Sequence, residues 1–111
     1  MMFEVVRNLI EDVNQEQKEA IYKAYLNPER THIKSWPASH KKACIIMEWV
    51  GTFFKEDVVY SEKEVNAILK TIFPDFVMIR RMAVDIGLLS REPSGATYRK
   101  RRGCNEINIQ T

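Results

Sequence analysis

The sequence predicts a mostly α-helical domain that ends in a small β-hairpin. Three observations predict it. From Ala38 onward, the patterned segments run helix, short strand, helix, turn, helix and two short strands. Ser61-Glu62-Lys63-Glu64 has capping-box spacing, with a hydroxyl at the N-cap and a carboxylate three residues on, immediately before an apolar periodic run. After Gly87 the helical period gives way to two short strand-like segments around Glu92-Pro93-Ser94-Gly95, where Pro and Gly supply turn chemistry. A length of 111 residues, 45% hydrophobic and 29% charged, fits one compact domain that buries a core without a metal or disulfide staple.

Each element has its own local reason. Phe3, Val6, Ile10 and Val13 recur on one helical face and predict a first helix. Asn14-Gln15-Glu16-Gln17 carries the N-cap and N3 residue types of a capping box. A second helix therefore starts at Gln15 and runs to about Leu26, with Ile21, Ala24 and Tyr25 turned inward. Asn27-Pro28 stops it. A connector follows over residues 29–37, carrying His32, Ile33 and Trp36, and Pro37 suits the entry to the next helix. The third helix, over about 38–55, is the strongest periodic signal, with Ala43, Ile46, Met47, Val50, Phe53 and Phe54 in one apolar stripe.

Val58-Val59-Tyr60 is β-branched and aromatic, as a short strand requires. The helix after Ser61, over 62–73, turns Val65, Ile68, Leu69 and Ile72 inward, and Phe73-Pro74-Asp75 breaks it. Asp75 caps a last helix over 76–86 that buries Phe76, Ile79, Ala83 and Ile86, with Gly87 as its C-terminal stop. Residues 88–91 and 96–99 form the hairpin, and the polar tail 103–111 is expected to fray. The organisation read from this order is an N-terminal helical extension and connector (1–36), a module (37–102) and a flexible tail (103–111).

Several function classes have little to stand on. Met1-Met2-Phe3-Glu4 lacks a basic n-region and an apolar h-region, and the longest apolar run, Ala43 to Met47, is stopped by Glu48. A soluble cytoplasmic protein is expected, with reduced thiols: Cys44 as a small core residue and Cys104 as an exposed one. His32 and His40 have no cysteine or carboxylate at ligand spacing, so no metal and no cofactor is expected. Nucleophile elbows, Gly-rich phosphate loops and Ser/His/Asp arrangements are missing, and capping accounts for Glu64 while the helix dipole accounts for Glu62. The reading is of a protein that is not an enzyme.

The element order of the module is that of a winged helix-turn-helix, in which the second helix of the turn pair enters a major groove and the hairpin is the wing. The sequence also resembles a known family. Tyr60-Ser61-Glu62-Lys63-Glu64-Val65-Asn66 matches its Tyr-Thr-Glu-Lys-Glu-Val-Asn core, and Ile79-Arg80-Arg81 and Gly87-Leu88-Leu89-Ser90-Arg91 match its later blocks. Asp75 and Asp85 go with those later blocks, and Pro37 with Lys41-Lys42, and Gly95 with Tyr98-Arg99, fall where its flanking signatures lie. The chain departs from the pattern at Thr31-His32, where the family has Gly-Arg, and at Tyr98-Arg99-Lys100, where a Trp is usual after the Tyr. The resemblance, over residues 31–99, is to the bacterial domain of unknown function 2087. It implies a winged-helix-like module that occurs alone or beside helix-turn-helix regulator domains.

Charge points the same way. Residues 37–111 hold 12 Lys+Arg against 9 Asp+Glu, and residues 1–36 hold 5 against 6, so the basic excess lies in the module. The function expected is a DNA-binding transcriptional regulator. Arg80 and Arg81 on the last helix contact bases or phosphates, and Met78 makes apolar contacts. Arg91, Arg99, Lys100 and Arg101 on the wing meet the backbone. Two half-sites call for a homodimer, with Phe3, Val6, Ile10, Val13, Ile21 and Tyr25 as the dimer element. The rival is a protein-interaction module on the same scaffold, favoured by apolar Val77, Met78 and Val84 on the outer sides of that helix. Single-stranded RNA binding ranks last, because the sequence offers no stacking platform.

Overall fold

The computed structural model describes residues 12–93 and 97–101. Among them are four helices and three strands: α1 (Gln15–Tyr25), α2 (His40–Gly51), β1 (Val59–Ser61), α3 (Glu62–Lys70), α4 (Phe76–Asp85), β2 (Leu89–Arg91) and β3 (Thr97–Lys100). The fold is mixed, four helices and a small antiparallel sheet of order β1-β3-β2. The helix expected over Phe3 to Val13, most of the hairpin turn with Ala96, and the tail with Cys104 lie outside the described residues.

The capping box at α1 forms as its spacing predicts. Asn14 Oδ1 accepts from the Gln17 N–H at 2.8 Å, and Gln17 Oε1 accepts from the Asn14 N–H at 2.9 Å. The inward face of α1 is Lys18, Ile21, Tyr22 and Tyr25, one step round from the predicted one, so Ala24 is exposed. This face docks on α2. Lys18 pairs with Glu48 at 2.9 Å with both side chains largely covered, and Lys41 of α2 pairs with Asp12 at 3.1 Å. Leu26 and Ile33 bridge to each other and enter the same core as α2, which therefore runs continuously across Pro37. Asn27 closes the turn between them, its Oδ1 accepting from the N–H groups of Thr31 and His32.

Docking of α1 has a pH signature. Burial, then the carboxylates of Glu48 and Glu19, push the Tyr22 phenol from 10.0 up to about 12. The folded state thus favours the neutral phenol, so this contribution is complete below pH 10 and is lost as pH rises from 10 toward 12. Solvent at the half-exposed ring leaves roughly 1 kcal/mol of it. Urea unfolding at neutral and strongly alkaline pH is expected to show a smaller alkaline loss in Tyr22→Phe than in the parent.

Helix α2 is capped by Ser39 Oγ, which accepts from the Lys42 N–H at 3.3 Å. The apolar stripe expected on it is in fact a nearly complete sleeve: Ala43, Cys44, Ile45, Ile46, Met47, Trp49, Val50 and Gly51 are all buried. Burial raises the pKa of the Cys44 thiol. The helix ends at Gly51, short of the expected Lys55. Phe53, predicted to lie in the stripe, is exposed and meets Trp49 edge-on at 4.9 Å.

The strand expected at 58–60 is shifted by one residue, and Ser61 serves as both its last residue and the N-cap of α3. The Ser61–Glu64 capping box is complete, with Ser61 Oγ accepting from the Glu64 N–H at 3.0 Å and Glu64 Oε1 from the Ser61 N–H at 2.8 Å. At the end of α4, Gly87 takes φ 84°, and its N–H reaches Val84 O while the Leu88 N–H reaches Ala83 O at 2.8 Å. That pair of bonds is a Schellman stop, and its left-handed residue favours glycine. β3 lies between β1 and β2, with Val59, Arg99 and Ser90 in one cross-strand row and Tyr60, Tyr98 and Arg91 in the next. Among the described residues, no helix is long and apolar enough to cross a membrane.

Candidate nucleic-acid interface

Helix α4 is set by Asp75, whose Oδ1 accepts from the Met78 N–H at 3.3 Å. Ile79 and Ala83 anchor it in the core. Arg80 and Val84 lie half-buried along one edge, Met78 and Met82 along the other, and Val77, Arg81 and Asp85 face solvent. The edge with Arg80 borders an open cleft of about 470 Å³ lined by Glu62, Arg80, Arg81, Val84, Asp85, Arg91 and Tyr98. A shallower groove runs along the other edge, lined by Asp75, Val77, Met78, Arg81, Met82 and Asp85. Arg81 belongs to both.

Two polar contacts shape the cleft. Tyr98 Oη donates to Glu62 Oε1 at 3.0 Å, across from strand β3 to the first turn of α3. Burial and this bond hold the phenol pKa above its ordinary value, while Arg80 and Arg91 nearby oppose the shift. Arg80 Nη1 donates to Asn66 Oδ1, which fixes the guanidinium at the cleft wall. Glu62 and Asn66 are four residues apart and so share one face of α3. In the sequence Glu62 suits the helix dipole and Asn66 stands only within the family core motif; their i, i+4 spacing is the signal that they act together.

The residues expected to meet DNA do not form one surface. Arg80, Arg81 and Arg91 converge on the cleft, and Met78 lies in the adjoining groove. Arg99 and Arg101 line a separate pocket with Asp57, Ser90 and Lys100. Alternation along β3 explains the split: Tyr98 and Lys100 are buried, so Arg99 between them points from the opposite face.

Lys100 requires a correction. Expected as a backbone contact on the wing, it is 3% exposed, and its Nζ donates to Gly51 O at 2.7 Å and Phe54 O at 3.0 Å. The pleat places it beside Leu89 on the core side, facing the carbonyls of Gly51, the last residue of α2, and of Phe54 just beyond it. It is a cap for α2, not a surface cation.

The expected dimer element lies only partly within the described residues. Val13, Ile21 and Tyr25 are half-buried against the chain's own core, and Phe3, Val6 and Ile10 lie outside the described residues. His32 and His40 are exposed, and His40 Nε2 stands 3.6 Å from Cys44 Sγ. Among the described residues, no group of three His, Cys, Asp or Glu is placed to hold a metal ion.

Neither the curated proteins nor the solved structures give a match to the chain. The family model described as "Uncharacterized protein conserved in bacteria (DUF2087)" matches residues 32–100, from the connector through the end of β3. That span is more than half of the 111 residues and holds both walls of the cleft, and the chain belongs to this family.

Proposed function

We propose that the protein is a small winged-helix DNA-binding regulator in which α4 enters the major groove and β2–β3 is the wing. The element order helix, strand, helix, helix, strand, strand with sheet order β1-β3-β2 supports the winged-helix reading. The observation that carries the DNA reading is the exposed Arg81 on the outer face of α4, next to Arg80 and Arg91. Guanidinium binds guanine edges or phosphate in bidentate fashion, so this trio suits a duplex. Arg99 and Arg101 fit only a backbone that passes the other face of the sheet. A palindromic operator needs two copies, so a homodimer is part of this reading.

Fluorescence anisotropy with a labelled random duplex tests it. Binding that weakens with salt and falls on Arg81→Ala is expected. A second reading, a protein-interaction module without DNA binding, is favoured by Val77, which is 39% exposed beside Met78 and Met82 on the outer groove. Under that reading Arg81→Ala is neutral, while Met78→Glu abolishes partner binding.

A further inference from the structure

Three guanidinium groups line the cleft between α3, α4 and the sheet, two from α4 and one from β2. Two carboxylates, Glu62 and Asp85, line it as well. Yet the ion pairs among the described residues involve Lys18, Arg30 and Lys41, and none involves Arg80, Arg81 or Arg91. Glu62 instead accepts from Tyr98, and Arg80 bonds the neutral amide of Asn66. Three guanidinium groups against two carboxylates leave the concavity net positive, and with none of the three held in an ion pair their donors are open to an anion.

We infer that this cleft seats a phosphate group, held by Arg80, Arg81 and Arg91. The geometry favours phosphate over a carboxylate. Its tetrahedral oxygens meet donors that arrive from separate elements, whereas a carboxylate is satisfied by a single guanidinium fork. The cleft is far larger than one phosphate and open to solvent, so the rest of the ligand extends outward. Such a phosphate belongs either to a nucleic-acid strand or to a free phosphorylated small molecule. Bound there, it ties β2 to α4 and fixes the wing against the helix. The inference deepens the DNA reading of the same face and shares Arg81 with it.

The test is a titration of isotope-labelled full-length protein with inorganic phosphate to about 20 mM at constant ionic strength, followed by amide chemical shifts. Saturable shifts at Glu62, Arg80, Arg91 and Tyr98 are expected, with a Kd of about 1 mM. Arg91→Gln and Arg81→Gln, both at exposed positions, are each expected to weaken binding by roughly tenfold. Saturation separates a site from the general stabilisation that phosphate gives any fold. No saturable shift in folded protein, or unchanged saturation in both variants, overturns the inference.

A short duplex is then added to the phosphate-loaded protein. Displacement of phosphate from the cleft identifies a strand phosphate as the source and supports the inference. Saturable phosphate binding without any duplex binding identifies a free phosphorylated ligand. It supports the inference while the DNA reading falls. Duplex binding with no cleft shift and no response to phosphate keeps the DNA reading and overturns the inference.

Discussion

Lys100→Met lowers stability by about 3 kcal/mol, a fall in Tm of roughly 12 °C for a domain of this size. The ammonium is buried and donates to Gly51 O and Phe54 O where α2 ends. Carbonyl groups at a helix C-terminus have no intrahelical partner and carry the negative end of the dipole, so a cation there does two jobs. Methionine keeps the length of the stem and removes the donors, which leaves two carbonyls without the cation that bonds them. Thermal unfolding by circular dichroism reads the change. A Tm within about 2 °C of the parent contradicts the capping role. Because the side chain is not on the surface, duplex affinity per folded molecule is expected to stay the same.

Ile46→Ala is expected to cost about 3–4 kcal/mol. Ile46 is fully buried on a helix buried on nearly every side, so the space left by the truncation has no solvent into which to open. Ile21 on α1 makes the comparison. It is only half-buried at the edge of the same core, and Ile21→Ala is expected to cost about 1 kcal/mol. Urea unfolding of the two variants side by side gives the contrast. Equal losses contradict the central position of α2.

Features written in a few neighbouring residues were legible in the sequence. The capping boxes at Asn14–Gln17 and Ser61–Glu64, the Asp75 cap and the Gly87 stop all form where their residue types predict. What was not legible depends on pairings between distant segments. The sleeve around α2 exists because α1, its C-cap Leu26 and the connector residue Ile33 close the side that periodicity left open. β1 joins the sheet only by pairing with β3, some forty residues later. The basic run Arg99-Lys100-Arg101 looked like one surface, but the pleat of β3 sends its middle residue inward. In the candidate site, Arg80, Arg81 and Arg91 were found by residue type, while the Glu62–Tyr98 and Asn66–Arg80 contacts that shape it needed the packing of α3 against α4 and the sheet.

The most direct test of the account is the affinity of the full chain for a labelled random duplex across a salt series, for the parent and for Arg81→Ala. With Arg80, Arg81 and Arg91 each expected to meet the phosphate backbone, log affinity should fall against log salt with a slope of about −2.7, close to 40-fold between about 50 and 200 mM salt. In Arg81→Ala the slope should shrink by about 1 and the low-salt affinity should drop. Folded parent protein that binds no duplex at low salt, or an Arg81→Ala variant that binds like the parent, contradicts the assignment of α4 to DNA.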